Sequence, residues 1–281
     1  MRFSSKPHHK NLSKAGVFTK LIINADDLGL TTGVTDGIIH GFGHGIVTST
    51  SALMNTIHIH QDLPRTHQVC PHLGIGVHMV ITEGRPLLPV EKVPSLVDES
   101  GRFYDLHHKT ERIPTLDLDE VRAEWKTQIE SFISYGFRPD HLDSHHHISY
   151  FTPGLFRVML ELAREYTLPI RYPPPEFIEE LGAKNIGRWL DEYGVKAPAA
   201  CITSFYGEDN AVSQENMLNI LITLEDGTKE VMCHPGYADQ ELVENCSYSV
   251  PRELELEILT SRVVKNAVCD HKIQLIPFSE I

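Results

Sequence analysis

Eight short apolar runs, separated by longer stretches of helical periodicity, constrain this chain more than any other feature. They are LIINA (21–25), GIVTSTSALM (45–54), LGIGVHM (73–79), DHLDS (140–144), LPIRY (168–172), AACITSF (199–205), EVMCH (230–234) and KIQLIPF (272–278). Several are rich in β-branched residues and bounded by glycine or proline, as buried parallel strands are. Between them, DEVRAEWKTQIESFI (119–133) repeats Val121, Trp125, Ile129 and Phe132 at helical spacing. Asp117 and Glu120 ahead of it have the spacing of a capping box. GLFRVMLELAREY (154–166) follows Pro153 and puts Leu155, Val158, Met159 and Leu162 on one face. PRELELEILTSRVVKNAV (251–268) reads as one helix, with Pro251 near its start and Leu254, Ile258 and Val263 along a stripe. Strands alternating with helices imply an α/β fold, a parallel sheet with right-handed crossovers. Seven or eight such units in 281 residues favour a closed TIM-like (β/α) barrel over an open sheet.

Two segments break this rhythm. Residues 1–19 are polar and patternless and read as a flexible lead-in, leaving a single barrel domain over 20–281. Residues 84–118 carry prolines and no convincing period. A connection of that length directly after the third strand reads as a loop over an active-site mouth.

With 38 Asp and Glu against 25 Lys and Arg, the formal charge is 25 − 38 = −13, which argues against a nucleic-acid or anionic-membrane surface. No apolar stretch approaches the ~20 residues that cross a bilayer. The N-terminus lacks the apolar core of a signal peptide, so the expected location is the cytoplasm. Five widely spaced cysteines form neither a metal knuckle nor a plausible disulfide framework.

The chemistry sits at the strand ends. The first run leads into Asp26-Asp27, the third into His78, the fourth into Asp143-Ser144-His145 and the seventh into His234. In a parallel barrel all these ends converge on one face, where such enzymes keep their active sites. Asp26 and Asp27 should differ in role, one ligating a metal while the other takes a proton; taken alone, the pair reads equally as a turn or a helix cap. In extended backbone His141, Asp143 and His145 share a face, with Asp143 able to fix a histidine tautomer. His146 should point away, and His147 should line the pocket. Arg171, ending the fifth run, is placed either to orient Asp26 or in a surface ion pair. His40 and His44 have a clamp-like spacing, but Gly37, Gly41, Gly43 and Gly45 weaken that helix and the site. His107 and His108 fall in the long loop. Asp27, His78 and His145 would hold Zn²⁺, Fe²⁺ or Mn²⁺ with positions open for water and substrate. With Asp26 as base and His234 as acid, the parts suit amide or ester hydrolysis. Phe205 and Tyr206 are candidates for stacking on a ring-shaped substrate.

NADDLG, GIVTSTSALMN, GVHMVITEGRPL, RPDHLDSHHH, SFYGE and EVMCHPG occur in this order. In this the chain resembles the YdjC-like carbohydrate deacetylases, most closely their chitooligosaccharide deacetylase branch. The resemblance runs from about residue 20 to 278. It implies a variant (β/α) barrel related to polysaccharide deacetylases, a Mg²⁺ or Zn²⁺ cofactor and a homodimer. The implied reaction removes an N-acetyl group from an N-acetylglucosamine oligomer such as diacetylchitobiose, with or without a 6-phosphate. Carried over by motif, Asp27, His78 and His145 become the metal ligands, Asp26 the base and His234 the acid. Two departures, CHPGY for a CHPAF-like form and HHHISYF for HHHVHMF, put Gly236 and Ser149 at positions expected near the pocket rim. Two other readings stand beside this one: a non-catalytic metal-dependent sugar-binding protein, and a non-haem Fe(II) oxygenase built on His141 and Asp143.

Overall fold

A computed structural model describes residues 19–106, 110–207 and 210–281. Apart from Thr19, the expected lead-in lies outside the described residues, as do His107 and His108. In chain order the elements are β1 (Lys20–Leu28), α1 (Thr32–His44), β2 (Ser49–Ala52), α2 (Ile59–Val69) and β3 (Gly74–Met79). Next come α3 (Leu118–Ser134), β4 (Leu142–Ser144), α4 (Pro153–Tyr166), α5 (Ile178–Leu181), α6 (Ala183–Tyr193) and β5 (Cys201–Ile202). The chain ends with α7 (Gln214–Thr223), β6 (Thr228–Cys233), α8 (Gln240–Asn245), α9 (Val250–Thr260), α10 (Arg262–Asp270) and β7 (Gln274–Leu275).

All ladders are parallel, in the order β4-β3-β2-β1-β6-β5, with β7 pairing beside the start of β1. The expected α/β architecture is present with seven parallel strands, but they do not close into a barrel. The fifth run contributes one bridge, Ile170 to Leu142, and the sixth shrinks to the two residues of β5. Among the described residues no ladder joins these two edges, so the sheet stays open there. It nevertheless curls: Arg171 contacts Asp143 on β4 and Glu230 on β6, which stand far apart in the strand order.

β1 is buried almost throughout because both of its faces are covered. Leu21, Ile23 and Ala25 face the helices and join the main apolar core, while Asn24 and Asp26 face the polar interior of the curl. Gly76 on β3 makes room inside, since a Cβ there would lie 2.4 Å from the His141 ring. Phe278 stacks on His141 at 3.9 Å and, with Ile22 and Ile276, closes the end of the curl opposite the strand C-termini.

The helices expected at α3 and α4 form, but the capping box at α3 is only half made. Glu120 accepts from Ser95 N–H, and Asp117 N–H donates to Ser95 Oγ. The Asp117 carboxylate accepts from the N–H groups of Asp119 and Glu120, and Val121, Trp125, Ile129 and Phe132 are buried. Thr152 caps α4 ahead of Pro153. The single helix expected over 251–268 is two. Ser261, at ψ 144, ends α9, and its hydroxyl accepts from Val264 N–H to start α10. Within α9 Ile258 is buried and Leu254 exposed, and past the break Val264 and Val268 are buried while Val263 is exposed. Glycine-rich α1 does form, because its glycines permit close packing: a Cβ on Gly37 would lie 2.4 Å from Gly236 Cα.

Candidate metal and catalytic site

The C-terminal ends of β1, β3, β4 and β6 open into a cavity of about 1020 Å³ lined by Asp26, Asp27, His78, His145, His147 and His234. Residues distant in sequence meet here because the parallel strands all deliver their ends to the same face. His78 Nε2, His145 Nδ1 and Asp27 Oδ1 converge, with separations of 3.4 Å from His78 to Asp27, 3.2 Å from His145 to Asp27 and 3.3 Å between the two rings. Asp27 Oδ1 is buried without a hydrogen-bonding partner. An orphaned carboxylate oxygen facing two imidazole nitrogens is the donor set of a divalent cation site, and it fits one.

Each of the three is braced from outside. His78 donates through Nδ1 to Asp143 Oδ1 at 2.7 Å, and Ser51 Oγ donates to the other Asp143 oxygen at 2.9 Å. That leaves Nε2 of His78 as the lone-pair nitrogen. His145 turns Nε2 to Glu83 Oε2 at 3.2 Å. Asp27 Oδ2 accepts from Arg252 at 2.6 Å. Burial would raise the Asp27 carboxyl, but Arg252 and His145 outweigh it and hold the group well below the usual carboxylate range. Burial lowers the His145 ring, but the Asp27 and Glu83 carboxylates beside it outweigh that and bring the pKa to about 10. This is the response of a ring to two anions, and a bound cation would displace its Nδ1 proton.

Asp26 occupies a different environment. Arg171 is fully buried and donates to both of its oxygens at 2.8 and 2.6 Å. The same guanidinium reaches Asp143 at 3.1 Å and Glu230 at 2.7 Å. Burial pushes Asp26 up, the Arg171 charge pulls it further down, and the net result is a carboxylate that stays ionised. Of the two placements considered for Arg171, the side chain lies on Asp26 and not in a surface pair.

His234 sits across the cavity with its Nδ1 buried and unpartnered. Its ring is 4.8 Å from that of Tyr206, and its backbone N–H donates to buried Glu255. Burial and the Arg252 charge lower its pKa to about 4, so the ring is neutral at pH 7. Tyr206 is 45% exposed, lines the cavity and lies 4.6 Å from the Tyr248 ring. Phe205 is fully buried in the core and offers no face to a ligand, contrary to expectation; it lies in a turn past the end of β5, where Tyr206 N–H donates to the Thr203 carbonyl. His147 lines the cavity as expected, and burial lowers it to about 3. His146 does not point away. The extended backbone stops at Ser144, and His146 and His147 take left-handed conformations at φ 53 and 55, which bring both rings to the cavity. Neither departure reaches the rim: Ser149 is buried with its N–H donating to Ser144 Oγ, and Gly236 packs on α1.

The sequence profile of the YdjC-like protein family matches residues 20–270. The chain belongs to the YdjC-like family. It is 39% identical over 268 residues to a carbohydrate deacetylase of Enterococcus faecalis, covering 93% of this chain and 98% of that one. It is 35% identical over 255 residues to a chitooligosaccharide deacetylase of Yersinia enterocolitica, covering 88% of this chain and 93% of that one. A solved E. faecalis structure, described as a candidate cellobiose-phosphate cleavage protein, superposes with a TM-score of 0.85 at 39% identity and covers 94% of this chain and 98% of that one. In this YdjC-like chain the residues that sequence reasoning missed are Arg252, Glu83 and Glu255. Arg252 lies 225 positions from its partner Asp27, on a helix with other charges, and nothing local marks it. Glu83 stands within the quoted GVHMVITEGRPL stretch, five residues after His78, and that closeness to a ligand candidate was its one signal.

Proposed function

We propose that this chain is a metal-dependent carbohydrate N-deacetylase acting on N-acetylglucosamine oligosaccharides such as diacetylchitobiose. The observation that carries the proposal is the convergence of Asp27, His78 and His145 on one cavity beside an Arg171-held Asp26. Relatives at 35 and 39% identity carry deacetylase names, which supports the reaction class. When bound at those three residues, a divalent ion polarises a carbonyl oxygen and lowers the pKa of water to about 7. Two imidazole nitrogens beside one carboxylate oxygen suit Zn²⁺ better than Mg²⁺, which takes oxygen donors.

Asp26, fixed by Arg171 and ionised at any working pH, accepts a proton from the attacking water. So strongly stabilised a carboxylate is a weak base, which suits it to water whose pKa a bound ion would lower. His234 rests neutral, so the proton it delivers to the leaving nitrogen is one it first receives within the site. The balance is that of amide hydrolysis: a C–O bond forms, the C–N bond breaks, and the protons of water end on the acetate and amine products. Tyr206 offers an exposed ring face for a sugar. The proposal extends to a homodimer, supported by the family resemblance, and to the cytoplasmic location expected from the sequence. No helix among the described residues is long and apolar enough to cross a membrane.

The test incubates the full chain, chelated and then reloaded with Zn²⁺ or Mg²⁺, with diacetylchitobiose. Acetate and free amine are followed by mass spectrometry. Equal amounts of both products are expected from the reloaded protein, more from the zinc form, and neither from the chelated one. Sugar binding without acetate release under every ion would replace catalysis by a binding role.

A further inference from the structure

His78 and His145 present opposite nitrogens to the same point. His78 turns Nε2 inward and anchors Nδ1 on buried Asp143, whereas His145 turns Nδ1 inward and anchors Nε2 on Glu83. The Glu83 side chain is 52% exposed, yet its main chain is fixed. Asn55 Nδ2 donates to the carbonyls of Glu83 at 3.0 Å and Arg85 at 3.2 Å. The intervening Gly84 is at φ +80, and a Cβ there would lie 2.6 Å from that same Asn55 nitrogen. His145 itself precedes two residues in left-handed conformation, so regular strand pairing stops at its position and does not orient its ring.

We propose that Glu83 is the positioning residue of the cation site: by accepting the Nε2–H of His145 it selects the tautomer and ring orientation that offer Nδ1 to the ion. The inference rests on the metal reading given above. Glu83, His145 and His146 also approach one another closely enough to suggest a second cation site. A neutral imidazole has one lone pair, however, and His145 spends it toward Asp27 and His78, so it cannot serve an ion on its Glu83 side as well. Because Glu83 is largely exposed, removing it strands no buried charge, unlike removal of Asp143.

Zn²⁺ binding to the chelated full-length parent, Glu83→Ala and Glu83→Gln proteins is measured by calorimetry, with histidine ¹⁵N shifts recorded on each. Glu83→Ala should bind zinc 10- to 100-fold more weakly, in the range found for lost outer partners of ligating histidines. Glu83→Gln keeps an acceptor oxygen and should stay near the parent, with His145 retaining its Nε2-protonated signature. Parental zinc affinity in the Ala variant, with a raised KM for the sugar, would make Glu83 a substrate contact and overturn the proposal. Two zinc ions per parent chain and one in the Ala variant would overturn it in favour of the second site. Failure of the parent to bind zinc at all would remove the metal reading itself.

Discussion

Neighbours on an extended strand face opposite sides, yet Asp26 and Asp27 both line one cavity. Asp27 manages this by adopting φ 75, a left-handed conformation that costs a non-glycine residue about 1–3 kcal/mol unless its surroundings hold it. The Arg252 guanidinium on Oδ2 does the holding and leaves Oδ1 facing the two histidines. The two carboxylates thereby acquire separate tasks, which makes a substitution at Asp26 informative. Asp26→Asn should lower turnover by about 10²–10⁴-fold, the usual loss when a general base is removed, while zinc affinity stays near the parent. Near-normal acetate release from that variant would take Asp26 out of the reaction. Asp26, Asp27, His78, His145 and His234 were legible in the sequence because each ends an apolar run, and run ends converge in a parallel sheet. The braces Arg252 and Glu83 were not. A brace is defined by a partner elsewhere in space, and an arginine on a charged helix looks like any solvated one.

At the scale of elements, α9 shows what periodicity can and cannot convey. Its existence was readable, but its end at Ser261 was not, because serine interrupts no hydrophobic pattern and its capping bond is visible only in three dimensions. The run at 168–172 failed for a related reason. Its composition is that of a strand, but only Ile170 forms a strand bridge, and the Arg171 side chain turns into the ion cluster. The inward face of α9 carries Arg252 to Asp27 and Glu255 to the His234 backbone and the Tyr248 hydroxyl. Burial pushes the Glu255 carboxyl up from 4.5 to about 7, against the pull of Tyr248, His234 and Arg252. The folded state therefore binds the extra proton between those values. The stabilisation linked to that proton is complete below 4.5 and gone once pH passes about 7. Integrated over that interval it amounts to roughly 3 kcal/mol. Glu255→Gln lacks the titration, so urea unfolding should show the parent losing stability relative to the variant from pH 4.5 to 7. A stability difference that stays flat over this window would mean Glu255 is ionised throughout.

At the scale of the whole molecule, the interior of the curled sheet is unlike the aliphatic filling of an ordinary α/β barrel. Asn24, Asp26, Ser51, His78, His141, Asp143 and Glu230 are buried there, and the apolar core lies between the sheet and its helices. Three of these groups are carboxyls from β1, β4 and β6, and Arg171 touches all three. One guanidinium therefore ties the middle of the sheet to both of its arms, across the side where no ladder closes the ring. Lysine could not replace it, since a single ammonium cannot span three carboxylates with fixed, forked donors. Arg171→Met fills much of the same space but leaves those carboxyls without a counter-charge. It should destabilise the fold by about 3–5 kcal/mol, the usual cost of stranding one side of a buried ion pair. Urea unfolding monitored by circular dichroism gives the value, and the zinc affinity of the variant below its transition reports whether the arms still converge. A loss under about 1 kcal/mol, the scale of an exposed pair, would mean that the helices alone hold the sheet in its curl and that Arg171 serves only Asp26.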